Sequence, residues 1–157
     1  MNVVNSVAPP VDETTLDLTL QLSAIAGLSL VMVVMHTLGL VGISALLGLK
    51  EKRLLNHEFD HRAVALIAAF GLLLILLHMA EILVFALFYL LVSPLNFEEA
   101  LFYSASAYAT LGRTADYFPP DWRLVGASEA LIGFILIGWS TAFMVTTMRK
   151  LAETADK

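Results

Sequence analysis

The chain has 157 residues, of which 59% are hydrophobic and 15% are charged, and its formal net charge is −5 at pH 7. Soluble domains contain roughly 45–50% apolar residues, and here the apolar residues form long runs, which indicates a membrane protein. The absence of cysteine excludes disulfides and thiolate metal sites, and the acidic balance argues against a nucleic-acid partner.

Three apolar runs are each longer than the roughly 20 residues that cross the hydrocarbon core of a bilayer. Residues 20–49 contain no Asp, Glu, Lys or Arg, residues 63–92 contain only Glu81, and residues 124–148 contain only Glu129. We therefore predict an all-α membrane protein with three transmembrane helices over these ranges.

The distribution of basic residues predicts the orientation. Four Lys and Arg residues lie in loop 50–62 and three follow residue 148, whereas the arm 1–19 contains none. By the positive-inside rule, loop 50–62 and the C-terminus are cytoplasmic. The arm 1–19 is then extracytoplasmic, as is the connection 93–123, in a multi-pass protein of the plasma (cell inner) membrane.

The connection before the third transmembrane helix contains a short helix of its own. After the Ser-Pro break at 93–94, Asn96 is a favourable N-cap and Glu99 follows at capping-box spacing. Residues 97–109 are compatible with a helix of about 20 Å, which enters a membrane without crossing it. Non-helical backbone survives at membrane depth only against protein or water, so the polar strip that follows predicts a pore loop.

This order of segments resembles the pore module of potassium channels. The resemblance rests on FEEALFYSASAYATLG at 97–112 and ASEALIGFILIGWSTAF at 127–143. The chain is most similar to small bacterial proteins with one extra helix before a two-helix pore. The resemblance implies a homotetramer around a central axis, built from a pore module over 63–150. That module comprises an outer helix 63–92, a re-entrant pore helix 97–109, a filter-like strip 110–114 and an inner helix 124–148.

The filter of that family is Thr-Val/Leu-Gly-Tyr-Gly, whose backbone carbonyls replace the water shell of an ion. Thr110, Leu111 and Gly112 match it, whereas Arg113 and Thr114 stand at the Tyr and second Gly positions. A β-branched residue is unfavourable in the left-handed conformation that glycine accepts. We therefore expect a different backbone path through the outer half of the strip, without high K⁺ selectivity.

Arg113 has two alternative roles in this arrangement. If its side chain points away from the axis, it is a buried cation that needs a carboxylate partner. If it points to the axis, four copies form a ring that repels K⁺ and suits anion passage or closure. We favour the pairing, and Glu129 as the partner. The other candidate partners are Glu98, Glu99 and Asp116.

Three further ionisable residues lie inside the predicted transmembrane helices, where such residues are functional candidates. His78 and Glu81 are three positions apart and share a helix face. The pair either senses or relays protons or, as we favour, forms a hydrogen bond that locks two helices, together with His36 of the first helix. Nothing in the spacing demands a metal ion, so we predict no metal site and no cofactor.

Gly133 and Gly138 lie in the third predicted helix among Ser and Thr residues. Small and hydroxyl residues suit a helix that lines a cavity, in which either glycine would act as a gating hinge. The same residue types also serve ordinary helix packing. The sequence leaves both interpretations open.

We expect no enzyme, because no nucleophile–base pairing and no phosphate-binding glycine loop is present. The leading expectation is an ion channel: a potassium-channel-like homotetramer with the altered filter TLGRT that passes monovalent cations with weak selectivity. Its partners are then membrane lipid, inorganic ions and other copies of the chain. The alternatives are a non-conducting scaffold or sensor, or a proton or anion pathway that uses Arg113 or the His78–Glu81 pair.

Overall fold

A computed structural model describes residues 12–47, 61–111 and 120–155. These residues form four α-helices and no strand: α1 (Asp12–Leu46), α2 (His61–Val92), α3 (Phe97–Tyr108) and α4 (Arg123–Ala155), with a single 3-10 turn at Pro120–Trp122 before α4. The predicted all-α class is confirmed for the described residues. Most of the arm 1–19 and of loop 50–62 lies outside them.

Three of the helices are long and apolar enough to cross a membrane. The candidate spans are Leu18–Leu46, Val64–Val92 and Arg123–Arg149. Large apolar side chains cover their outer surfaces, such as Leu30, which is 67% exposed, and Phe134, which is 68% exposed. An apolar exterior on this scale is unfavourable in water and favourable in lipid, as expected of a multi-pass membrane protein.

Local sequence explains where α2 ends and α3 begins. α2 ends at Val92, directly before Ser93-Pro94, because a residue before proline is disfavoured in the helical conformation. The predicted capping box of α3 is confirmed: the Asn96 side chain accepts from the Glu99 backbone N–H at 2.9 Å. The Glu99 carboxylate in turn accepts from the Asn96 N–H at 3.0 Å.

α3 packs between α2 and α4, while α1 packs against both long helices. The main core lies where α3 enters the bundle, and it includes a T-shaped contact of Tyr89 with Tyr103 at 4.6 Å between ring centroids. A second apolar cluster lies further along α1 and α2 and is formed by Leu40, Ile43, Phe70 and Leu74. Gly39 of α1 lies directly against the Leu77 side chain of α2, so its missing side chain allows the two helices to approach closely.

Candidate functional site: two buried carboxylate clusters

The first cluster, called here the histidine cluster, consists of His36, His78, Glu81 and Tyr108. His36 Nδ1 lies 2.8 Å from Glu81 Oε1, and His78 Nδ1 lies 2.9 Å from Glu81 Oε2. The Tyr108 hydroxyl donates to Glu81 Oε2 and lies 2.8 Å from His78 Nδ1. One carboxylate thus joins α1, α2 and α3.

The histidine cluster is enclosed by protein. His36 and Glu81 are completely buried, whereas the His78 side chain is 18% exposed. On the side of α4, Ser140 Oγ lies 3.4 Å from His36 Nε2, and the Trp139 ring lies 5.4 Å from the His36 ring between centroids. All four helices therefore contribute to the surroundings of the cluster.

The second cluster, called here the Glu129 cluster, consists of Glu129, Tyr89 and Ser104. The Tyr89 hydroxyl donates to Glu129 Oε2 at 2.7 Å, and Ser104 Oγ lies 2.5 Å from Glu129 Oε1. Ser104 Oγ also lies 2.9 Å from the carbonyl oxygen of Ile82. Glu129 is completely buried, and its carboxyl group joins α4 to both α2 and α3. A carboxyl group in this apolar setting requires such partners.

Both clusters lie along the same short helix. Ser104 and Tyr108 are four residues apart in α3 and so lie on one face, one turn from each other. Tyr108 is the last residue of α3, and its partner His78 lies midway between Val64 and Val92, the ends of the α2 candidate span. The C-terminal end of α3 therefore lies beside the middle of α2.

Gly133 of α4 lies against the same end of α3. A Cβ added to Gly133 would be 2.5 Å from the carbonyl oxygen of Tyr108 and 2.9 Å from Cγ of the Tyr108 side chain. Only glycine permits this approach. At Gly138, by contrast, no neighbouring atom lies within 4 Å of the place that a Cβ would take. Close packing thus accounts for Gly133, and a hinge at either glycine stays a prediction.

The backbone after α3 turns sharply. The Thr110 N–H donates to the Ala107 carbonyl and the Leu111 N–H to the Ser106 carbonyl, both at 2.9 Å. This is the Schellman pattern, which requires a left-handed residue at the position of Thr110. Thr110 has a φ of 58°, although a β-branched residue is unfavourable there. Leu111 follows, 68% exposed in the single chain.

The other predicted site residues are placed only in part. Gly112, Arg113, Thr114 and Asp116 lie outside the described residues. Glu98 and Glu99 lie in the first turn of α3, where Glu99 completes the capping box. Arg113 pairing with any of its candidate partners, Glu129 included, stays a prediction.

The sequence interpretation did not identify Tyr89, Ser104 or Tyr108, and it considered Ser140 only among the small and hydroxyl residues of the third helix. The i,i+4 spacing of Ser104 and Tyr108 was the available signal, because it places two hydroxyls on one face of an otherwise apolar half-helix. Their carboxylate partners belong to other helices, and the spacing of residues within α3 does not indicate which carboxylates these are.

The chain matches no protein-family model, and no curated protein or solved structure is significantly similar to it. The two clusters are therefore the basis for any proposal about its function. They offer hydrogen-bonded carboxyl groups beside the end of α3. The histidine cluster also offers three potential metal ligands, His36, His78 and Glu81, with one ligand atom each lying within 4.8 Å of the others.

Proposed function

We propose that the chain is the subunit of a tetrameric, channel-like membrane protein that passes monovalent cations with weak selectivity. The observation that carries this proposal is the position of α3. This helix starts near the end of the α2 span and ends beside its middle, at His78 and Glu81. Its 12 residues correspond to about 18 Å, roughly half the thickness of a bilayer with its headgroups.

A half-helix in this position supports an ion pathway for an electrostatic reason. The C-terminal end of a helix carries a partial negative charge of about half an electron, and four such ends around an axis favour a cation. Thr110 and Leu111, the first two residues of the filter-like strip, follow this end after the C-cap Ala109. One copy cannot enclose an axis, so the proposal requires four.

Weak selectivity follows from the residues after Leu111. A complete set of carbonyl sites needs a backbone that repeatedly adopts left-handed conformations, which Gly112 accepts and Thr114 resists. Arg113 stands where the potassium-channel family has tyrosine, which further alters the outer half of the strip. The permeant species is then a monovalent cation that crosses with part of its water shell.

The oligomeric state is the first test. Native mass spectrometry from a mild detergent should give a complex of four 17.1 kDa chains. A monomer or dimer that persists in lipid nanodiscs would contradict the channel proposal, whatever the flux measurements show.

Ion flux is the second test. Purified protein in liposomes should take up Rb⁺, and added K⁺ and Na⁺ should compete with similar strength. A tetramer that is silent under every cation gradient would instead favour the non-conducting scaffold. Flux of protons or chloride without Rb⁺ would favour a pathway through Arg113 or the His78–Glu81 pair.

The filter is tested by replacing the two residues that differ from the potassium-channel pattern with those of that pattern. Arg113→Tyr combined with Thr114→Gly should give a preference for K⁺ over Na⁺ of about tenfold or more, since the strip then has both glycines. Arg123→Tyr at the start of α4 is the matched loss of positive charge, and it should leave the preference unchanged. An equal response to both changes would show that the effect is electrostatic.

A further inference from the structure

We propose that the histidine cluster is a binding site for a divalent transition-metal ion of the zinc type, with His36, His78 and Glu81 as protein ligands and the Tyr108 hydroxyl as a fourth group. This inference is independent of the proposed function, because it concerns metal binding by the folded chain. The two are tested by different measurements.

The ligand set fits this class of ion. Two imidazole nitrogens and a carboxylate are a usual set for Zn²⁺, with a fourth position left for another group. Mg²⁺ and Ca²⁺ prefer oxygen ligands throughout, so the two imidazoles argue against them. The three ligand atoms lie within 4.8 Å of one another. A tetrahedral ion with bonds of about 2.0–2.1 Å needs its ligand atoms roughly 3.3 Å apart, so the most distant pair has to approach by no more than about 1.5 Å.

Three atoms of the histidine cluster lie close enough together to serve as ligands of one ion. His78 Nδ1, the Tyr108 hydroxyl and Glu81 Oε2 all lie within hydrogen-bond distance of each other, which makes three contacts. A neutral imidazole and a phenol supply two protons to these contacts. A cation between the three atoms would instead use a lone pair from each of them. With the His78 proton on Nε2 instead of Nδ1, the same three atoms can therefore present lone pairs to a cation.

The surroundings also suit metal binding. Metal-ligating histidines usually donate the second ring N–H to an oxygen, which fixes the ring. When His36 binds through Nδ1, its proton moves to Nε2, and Ser140 Oγ lies 3.4 Å from that atom. The Trp139 ring lies beside the same imidazole. The carboxylate supplies one negative charge, so part of the ion's charge is neutralised within the apolar bundle.

A bound ion would join helices that are far apart in the chain. His36 lies in α1, His78 and Glu81 in α2, and Tyr108 at the end of α3. Metal binding should therefore stabilise the whole bundle and hold the end of α3 in place. Removal by a chelator should lower the thermal unfolding temperature of the protein in detergent.

The sharpest experiment uses the histidine content of the chain. It contains four histidines, and the two outside the cluster are His57 and His61, in the polar sequence HEFDH. In the variant His57→Ala/His61→Ala, any imidazole ligand has to come from His36 or His78. We expect this variant to bind one Co²⁺ per chain with the visible absorption of a four-coordinate nitrogen and oxygen site, and Zn²⁺ to displace it.

Ligand variants complete the test. His36→Gln and His78→Gln, made in the same background, should each weaken binding by more than about 100-fold, beyond the 10–100-fold typical of outer-shell changes. Glu129→Gln is the matched control, since it changes a buried carboxyl group outside the histidine cluster and should leave affinity unchanged. If the Gln variants do not fold, the parent variant decides by itself. The proposal is overturned if the folded parent binds no metal, or if binding survives the loss of His36 and His78.

Discussion

Glu81 and Glu129 are both fully buried, and each is held by side chains from helices other than its own. Glu81 is hydrogen-bonded to His36 of α1 and to Tyr108 of α3. Glu129 is hydrogen-bonded to the hydroxyl groups of Tyr89 in α2 and Ser104 in α3. Leaving a buried polar group unpaired costs about 1–3 kcal/mol. These few side chains therefore help to set how α3 sits in the bundle.

Ser104→Ala should destabilise the protein by about 1–3 kcal/mol, because it removes the hydroxyl that contacts both Glu129 and the Ile82 carbonyl. Ser128→Ala is the matched control, since the Ser128 hydroxyl bonds to Val125 of its own helix. It should change stability by less than about 0.5 kcal/mol. Unfolding in mixed SDS micelles measures both, and equal effects would argue against a role for Ser104 between the helices.

Thr110→Gly should stabilise the protein by about 1 kcal/mol, because glycine adopts a φ of 58° without the steric cost that threonine bears. Thr141→Gly, at an exposed position within α4, should instead destabilise it by about 1 kcal/mol. The same micelle unfolding assay applies. A loss of stability at position 110 would mean that the Thr110 side chain makes a compensating contact.

α3 is a short element with a defined structure at each end. The Asn96–Glu99 capping box satisfies its first turn, and the Schellman bonds to Ser106 and Ala107 satisfy its last. Isolated helices of this length are only marginally stable. The contacts of Ser104 and Tyr108 with the neighbouring helices are therefore as important to α3 as its caps.

Gly133→Ala should displace α4 from the end of α3, since its Cβ would overlap the Tyr108 carbonyl oxygen and ring. We expect destabilisation by about 1–3 kcal/mol, as for other overpacked interiors. Gly138→Ala adds its Cβ where nothing lies within 4 Å, so it should be neutral or stabilising by up to about 1 kcal/mol. Thermal unfolding in detergent compares the two. Similar outcomes would show that α3 and α4 are not in close contact.

At the scale of the whole molecule, the absence of cysteine makes the orientation directly measurable. Asn2→Cys should react with a membrane-impermeant maleimide from outside intact cells, whereas Lys52→Cys should react only after lysis, as the positive-inside rule predicts. Lys157→Cys, at the other predicted cytoplasmic position, is the control for Lys52. Labelling of all three from outside would indicate a different topology or a mixture of orientations.

Much of the architecture is readable from local sequence. Long runs without charge predict membrane-crossing helices, because an unpaired charge in hydrocarbon is costly wherever the helix packs. The Ser-Pro break after Val92 and the Asn96–Glu99 pair predict the boundary between α2 and α3, because both act through their own backbone neighbours. Each of these signals lies within one continuous stretch of the chain.

The sequence predicts the grouping of His36 with His78 and Glu81, but the other members of the candidate sites required the packed structure. The i,i+3 spacing places His78 and Glu81 on one face of α2, but their contacts with His36 and Tyr108 depend on how α1 and α3 are rotated against it. The same holds for Glu129, whose partners Tyr89 and Ser104 lie on two other helices. Helices with apolar residues on every side do not indicate which face meets a neighbour. Tertiary packing therefore determines which polar groups share a cluster, whereas hydrophobic run length and caps determine which helices form.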